Sequence, residues 1–346
     1  MVRSVHISFA QFCNSYWLQI PIIVGRMLEQ NGVGPGARSS HAITIVGKKV
    51  YAFGGEFSPR VPVDNELYVF DLEELTWSAA SVTGDVPPPR VGVTMAAIGE
   101  KIYVFGGRDA THKELNELFS FDTHTNKWTL LSGGGNGPAH RSYHSATADD
   151  QRVYIFGGCG VAGRLNDLWA FDVEDKKWNK FPIPGDNCKG RGGPGLAVAG
   201  RKIWVVYGFA GKEVDDVHCF DPASGEWTEV NTAGKKPTPR SVFSSAGFGK
   251  HIIVSGEEVD PSDLGHLGAG KFSSETYALD TETFAWKKLE DGLDSADHPG
   301  PRGWCAFAAG RKDGKEGLLV YGGNSPSNDR LDDIFFFTPC LDAKEK

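Results

Sequence analysis

The chain has 346 residues, with 44 glycines, 40% hydrophobic and 23% charged residues and no Gly-X-Y period; this excludes collagen and intrinsic disorder and predicts many tight turns. Thirty-six Lys and Arg against 44 Asp and Glu give a net charge of -8 without a basic run, so the electrostatic footprint of a nucleic-acid binder is missing. The six cysteines, Cys13, Cys159, Cys188, Cys219, Cys305 and Cys340, have no C-x-x-C spacing and suit a reducing compartment, cytosol or nucleus, better than a disulfide scaffold or a structural zinc site.

The first element is an apolar stretch from Phe9 to Val24, interrupted by Gln11, Asn14, Gln19 and Pro21. It is too short and too mixed for a membrane span and poor as a signal peptide, so no membrane partner is expected. A unit of about fifty residues then repeats. Arginines recur at Arg38, Arg90, Arg141, Arg191, Arg240 and Arg302, and tryptophans at Trp77, Trp128, Trp178, Trp227 and Trp286, each six residues after an aspartate. Between them run "VYAFGG" (50–55), "IYVFGG" (102–107), "VYIFGG" (153–158), "IWVVYG" (203–208), "IIVSGE" (252–257) and "LLVYGG" (318–323).

Within a unit, short β-branched and aromatic runs separated by Gly, Pro, Asn and Asp predict four antiparallel strands, a to d. Strand a follows the arginine, b ends at the double glycine, c carries sequences such as "ELYVFD", and d holds the tryptophan. One such sheet cannot bury both its faces, whereas several packed radially bury them all. The last unit supplies only strands a to c, so its fourth strand has to come from residues near 22–30. The expectation is an all-β, six-bladed propeller: residues 1–30 form an atypical N-terminal segment with the closing strand, 31–340 the propeller, and 341–346 a disordered charged tail. The tryptophan spacing places a Trp near position 25 of the closing strand, where Gly25 stands.

Antiparallel alternation puts the d-to-a and b-to-c loops on one face. The repeated arginines start strand a on that face and are expected to be structural, pairing with a neighbouring blade's acidic group. Departures from the repeat are the better functional candidates. Arg108 follows the second double glycine, where other blades have Glu56, Cys159, Phe209 or Asn324; a guanidinium there suits a sulfate or carboxylate. Arg164 lies in the shorter loop of blade three. From Gly256 to Asp280 the fifth blade uses 24 residues where the others use 13 to 16. The inserted loop gathers Glu257, Glu258, Asp260, Asp263 and His266, a set suited to a borderline divalent metal such as iron(II), although an acidic loop is more often merely solvated. Tyr143, at the start of strand a in blade three, reads as a residue packing inward.

Other signals fail on physical grounds. "GCGVAG" (158–163) leads into a strand and offers no helix N-terminus to a pyrophosphate. His140 and His144 sit about 13 Å apart along a strand, too far to share one ion, and His144 shares its repeat position with His41, which favours packing. "GGGNG" (133–137) lacks the Lys-Ser/Thr of a phosphate loop.

The double glycines, aromatic runs and tryptophans over 36–339 resemble those of kelch-repeat proteins, whose fold alone says little about function. More narrowly, "GPGARSSHA" (34–42), "DNELYVFD" (64–71), "VFGGR" (104–108), "DDVHCFDP" (215–222), "ALDTETFAW" (278–286), "RGWCAFAAG" (302–310) and "GLLVYGG" (317–323) are similar to plant specifier proteins of the nitrile-specifier, epithiospecifier and thiocyanate-forming group. That resemblance implies an iron(II)-dependent, lyase-like protein that directs the glucosinolate aglucone, a sulfated thiohydroximate released by a separate thioglucosidase, to simple nitriles. It implies that Arg108 and Arg164 hold the sulfate, that an aromatic at Tyr143 walls the pocket, and that iron is held by an E-x-x-x-D-x-x-x-H motif. Glu258 and His266 match its ends; Ser262 stands at the Asp, with Asp263 and Asp260 beside it. The alternative reading is a non-catalytic kelch platform for protein partners. A homodimer is compatible with either.

Overall fold

The computed structural model describes residues 22–291, 297–339 and 341, so the expectations for residues 1–21 and 342–346 lie outside the described residues. Six four-stranded antiparallel blades surround one axis. Blade one comprises Ala42–Val46, Lys49–Phe53, Leu67–Asp71 and Thr76–Ala79, and blades two to four repeat the order. Blade five comprises Ser244–Phe248, His251–Asp260, Lys271–Asp280 and Ala285–Asp291. Blade six takes Ala306–Lys312, Lys315–Asn324 and Arg330–Pro339 from the C-terminal end and its outer strand, Ile22–Met27, from the N-terminal end. The closing strand runs antiparallel to blade six, Gly25 facing Phe337, as the missing fourth strand requires.

The core is not one mass but six seams, each an apolar cluster between neighbouring blades. The repeated tryptophans explain five of them. Trp77, for instance, packs against Phe70 of its own blade and Tyr321 of blade six. Among the described residues the seam between blades five and six has no tryptophan; Phe335 and Phe337 fill it. A side chain at Gly25 would meet the Phe337 ring and the Asp297 carbonyl oxygen at 2.8 Å, so glycine stands where the repeat calls for Trp because the blade's own phenylalanines already occupy the space. Leu341, expected in the charged tail, packs half-buried against this seam.

The aspartate six residues before each tryptophan closes the c-to-d turn: Asp71 Oδ1, for example, accepts the amides of Glu73 and Glu74 at 2.9 and 3.1 Å. The six arginines are structural, but their acid partners lie in the same blade rather than in a neighbouring one. Arg38 pairs with Asp64, Arg90 with Glu117, Arg141 with Asp167, Arg191 with Asp216, Arg240 with Glu275 and Arg302 with Asp333. The neighbouring blade is reached through the backbone instead: the Gly55, Gly107, Gly158, Gly208 and Gly323 amides donate to the carbonyls of Arg90, Arg141, Arg191, Arg240 and Arg38. Each guanidinium is buried against its acid and a strand-b carbonyl, and those of Arg38, Arg90, Arg240 and Arg302 also face an aromatic ring. None of these six is available to a ligand without dismantling a blade.

Candidate functional site at the propeller mouth

Two residues after each repeated arginine the chain turns through a left-handed conformation. Ser40, Gly92, Tyr143, Gly193, Val242 and Trp304 have φ between 51° and 60°. Their backbones link around the axis: Gly92 N–H donates to Ser40, Tyr143 to Gly92, Gly193 to Tyr143, Val242 to Gly193 and Ser40 to Trp304, at 2.8–2.9 Å. This collar narrows the axial opening. Left-handed φ is costly for Tyr, Trp and especially β-branched Val, so the collar holds side chains where glycine would be easier.

Above the collar lie two concentric rings at the ends of strands b and c. The inner ring, one antiparallel bridge from strand a, is Glu56, Arg108, Cys159, Phe209, Glu258 and Asn324. Their cross-strand partners form the outer ring: Pro62, Glu114, Arg164, Glu213, Phe272 and Arg330. The expectation that Arg108 and the blade-five insertion share a face is met, since Arg108 and Glu258 occupy the same ring position. The insertion, expected as a loop, lengthens strands b and c into a ladder with Glu258 opposite Phe272 and Asp260 opposite Lys271. Glu258 holds the ring position because it lies 18 residues after Arg240, the spacing of Arg90 to Arg108.

Part of the mouth is a cavity of about 350 Å³ lined by Tyr143, Arg164, Phe209, Glu258, Ser262 and Trp304 among others. Tyr143 and Trp304 project from the collar at its floor, their rings edge to face with centroids 5.4 Å apart. Tyr143 is therefore a wall residue as well as a packed one. Arg164 is exposed, its guanidinium 4.4 Å from the Phe209 ring centroid. Arg108 is mostly buried beside the cavity, 5.8 Å from the Tyr143 centroid and ion-paired to Glu114. Burial, reinforced by Asp260, pushes the Glu258 carboxyl up to about 7. Burial also raises Glu213, to about 8, with Glu258 adding to the shift while Ser241 and Arg164 oppose it. The Ser241 hydroxyl donates to Glu213 Oε1 at 3.1 Å.

The proposed metal residues are distributed unevenly. Glu258 is buried against the cavity. Asp260 is exposed and paired with Lys271 at 2.7 Å, and Asp263 is exposed on the loop. His266 has its backbone in the 3₁₀ turn Gly265–Leu267; its side chain lies outside the described residues. Ser262 Oγ accepts the Leu264 amide at 3.1 Å, organising the approach to that turn. Among the described residues no three His, Cys, Asp or Glu side chains form a metal-holding set. His41 and His144 wedge between blades against Tyr321 and Phe105, the packing role their shared repeat position predicts.

Sequence reasoning missed Glu114, Glu213 and Trp304. The first two hold Arg164's position in other blades, a correspondence visible only once strand register is known. The collar site of Trp304, two residues past a repeated arginine, was legible as a position but carried no chemical signal.

Comparison with known proteins agrees with this architecture. Residues 40–256 match the KLHDC2/KLHL20/DRC7 kelch-repeats domain. The chain is 26% identical over 268 residues to Kelch domain-containing protein 3 of Bos taurus, covering 74% of this chain and 70% of that one. It is 27% identical over 271 residues to acyl-CoA-binding domain-containing protein 4 of Arabidopsis thaliana, there covering only 39% of the relative. A higher likeness is to the N-(sulfonatooxy)prop-2-enimidothioate sulfolyase of Thlaspi arvense, 41% identical over 333 residues, 89% of this chain and 94% of that protein. Likeness of that extent makes the chain a member of the plant kelch-repeat specifier proteins.

Proposed function

We propose that the protein receives the aglucone that a separate thioglucosidase releases from a glucosinolate and, with iron(II), directs it to a simple nitrile. The observation that carries this reading is the shared cavity: Arg164, a guanidinium with no acid partner among the described residues, and Glu258, a desolvated carboxyl, line one space of about 350 Å³. The Thlaspi arvense relative is named for an N-sulfonatooxy imidothioate, a small anion of the same kind.

Arg164 would hold the sulfate, its plane pre-set by stacking on Phe209 and its hydrogen-bond donors left to the ligand. Arg108 would approach the same anion from blade two. Tyr143 and Trp304 would floor the site, keep water from the axial opening and bear on the substrate's side chain. The chemistry at Glu258 fits a divalent cation, because a buried carboxyl raised to about 7 gains when a cation neutralises it. His266 would join Glu258, and Asp263 or Asp260 would complete the set, Asp260 at the cost of its Lys271 pair. Bound iron(II) would supply Lewis acidity and a template at sulfur.

The test combines purified protein, iron(II), thioglucosidase and a glucosinolate. Nitrile yield above the protein-free control, lost in Glu258→Ala, is expected; yield equal to that control overturns the reading. The rival reading, a platform for protein partners, draws on the exposed Phe57, Val61, Val161, Leu264 and Leu267 at the tips of the mouth loops. It predicts the same yield with and without the protein.

A further inference from the structure

Arg108 and Arg164 differ in one respect that the proposed function does not use. Glu114 Oε1 accepts from Arg108 Nε at 3.0 Å and from Nη2. Glu114 is 7% exposed, and its Oε2 is buried without a hydrogen-bond partner among the described residues. The pair is fixed by backbone: Arg108 and Glu114 face each other in an antiparallel bridge, and the Leu115 amide donates to the Gly107 carbonyl. Burial works against the Arg108 charge, and the hydrogen bonds and charge of Glu114 more than offset it.

The fold does not require an acid at this position. Its counterparts in the other blades are Pro62, Arg164, Glu213, Phe272 and Arg330. Nor does the repeated arginine of the blade need it, since Arg90 pairs with Glu117. What Glu114 does is local. It occupies the Nε–Nη2 edge that a sulfate would take bidentately, leaves the Nη1 end, and cancels charge that would otherwise attract an anion.

We infer that Glu114 is a positioning residue that aims Arg108 at the mouth and weakens its hold on sulfate, so that the anion is gripped mainly at Arg164 and is released readily once set free. This rests on the reading of Arg108 as a sulfate contact. The division of labour is an orienting cation held in check by its own acid beside an unchecked cation stacked on a ring.

The experiment titrates sodium sulfate calorimetrically into the full chain as wild type, Glu114→Gln, Glu114→Asp, Arg108→Ala and the Arg108→Ala/Glu114→Gln double variant, with thermal melts to verify folding. Arg108→Ala is expected to weaken sulfate binding and Glu114→Gln to tighten it about tenfold, the order expected for removing a neighbouring like charge. The gain should vanish in the double variant. Glu114→Asp, which keeps the charge but cannot span both nitrogens, should give a smaller gain of about threefold and serves as the independent variant if Glu114→Gln misfolds. A purely structural Glu114 would lower the melting temperature and leave sulfate affinity alone. Unchanged affinity in both Glu114 variants, with Arg108→Ala weakened, overturns the inference and spares the proposed site. No effect of Arg108→Ala removes the Arg108 contact itself, and the inference with it.

Discussion

Tyr143 and Trp304 come from blades three and six, directly across the propeller axis, and their rings meet edge to face at 5.4 Å. Both stand at left-handed φ, 51° and 59°, a cost of roughly 1 kcal/mol or more each that the collar hydrogen bonds sustain. Both rings line the mouth cavity, so this contact closes its bottom.

Trp304→Gly should therefore separate stability from function. Glycine relaxes the left-handed backbone as it deletes a half-buried ring, so the melting temperature should stay within a few degrees of wild type. Nitrile yield should fall severalfold as water enters from the axial channel. A melting temperature lowered by 10 °C or more would show that the ring is held for packing alone.

Arg164 offers a sharper contrast. Its guanidinium stacks on Phe209, and lysine can carry the charge but not the plane. Arg164→Lys should raise the substrate KM about tenfold or more with little change in melting temperature, because the residue is exposed and its side chain makes no hydrogen bond or ion pair among the described residues. Phe209→Leu should reproduce part of the KM effect. Equal KM values for wild type and Arg164→Lys would reduce the residue to a diffuse charge.

The fold was legible because a propeller repeats its instructions: arginine, double glycine, aspartate and tryptophan each return in register, and each has a local task that the structure identifies. The inner mouth ring was partly legible for the same reason, since Glu56, Arg108, Cys159, Phe209 and Asn324 all follow a glycine. Blade five keeps the register, Glu258 standing 18 residues after Arg240 as Arg108 stands after Arg90, but Glu257 replaces the second glycine there and removes the marker. Glu114 and Glu213 escaped because they are defined by cross-strand register, and loops of unequal length hide that register from a linear reading. The arginine partners were assigned to the wrong blade for a related reason: strands a and c of one sheet are closer in space than their separation of 25 to 35 residues implies.

Gly25 tests whether the closing strand was adapted to its seam. An added methyl group would lie 2.8 Å from the Phe337 ring and from the Asp297 carbonyl oxygen, so Gly25→Ala should destabilise by about 1–3 kcal/mol through overpacking. Phe337→Leu should cost a similar amount by leaving space. Combined, the two should cost less than the sum of the singles, a coupling measurable by denaturant titration. Strict additivity would mean that the glycine and the phenylalanine do not compete for one volume.

Glu213 ties the mouth electrostatics to pH. Burial raises its carboxyl from 4.5 to about 8, and Glu258 adds to the shift. Between those values the unfolded chain has lost the proton and the folded chain retains it, so the folded state binds more protons and stability falls as pH rises. The contribution is fully present below about pH 4.5 and is lost as pH passes through about 8. Glu213→Gln, which keeps an acceptor for the Ser241 hydroxyl, should match wild type in melting temperature near pH 4.5 and exceed it near pH 8. After discounting for solvent at a half-buried group the gap is about 1 kcal/mol, or a few degrees. Glu258, pushed up to about 7 by burial, adds to the slope in the same direction. Parallel pH profiles for wild type and Glu213→Gln would mean that Glu213 is ionised and solvated in the folded protein, and that the negative charge at the mouth is larger than its burial implies.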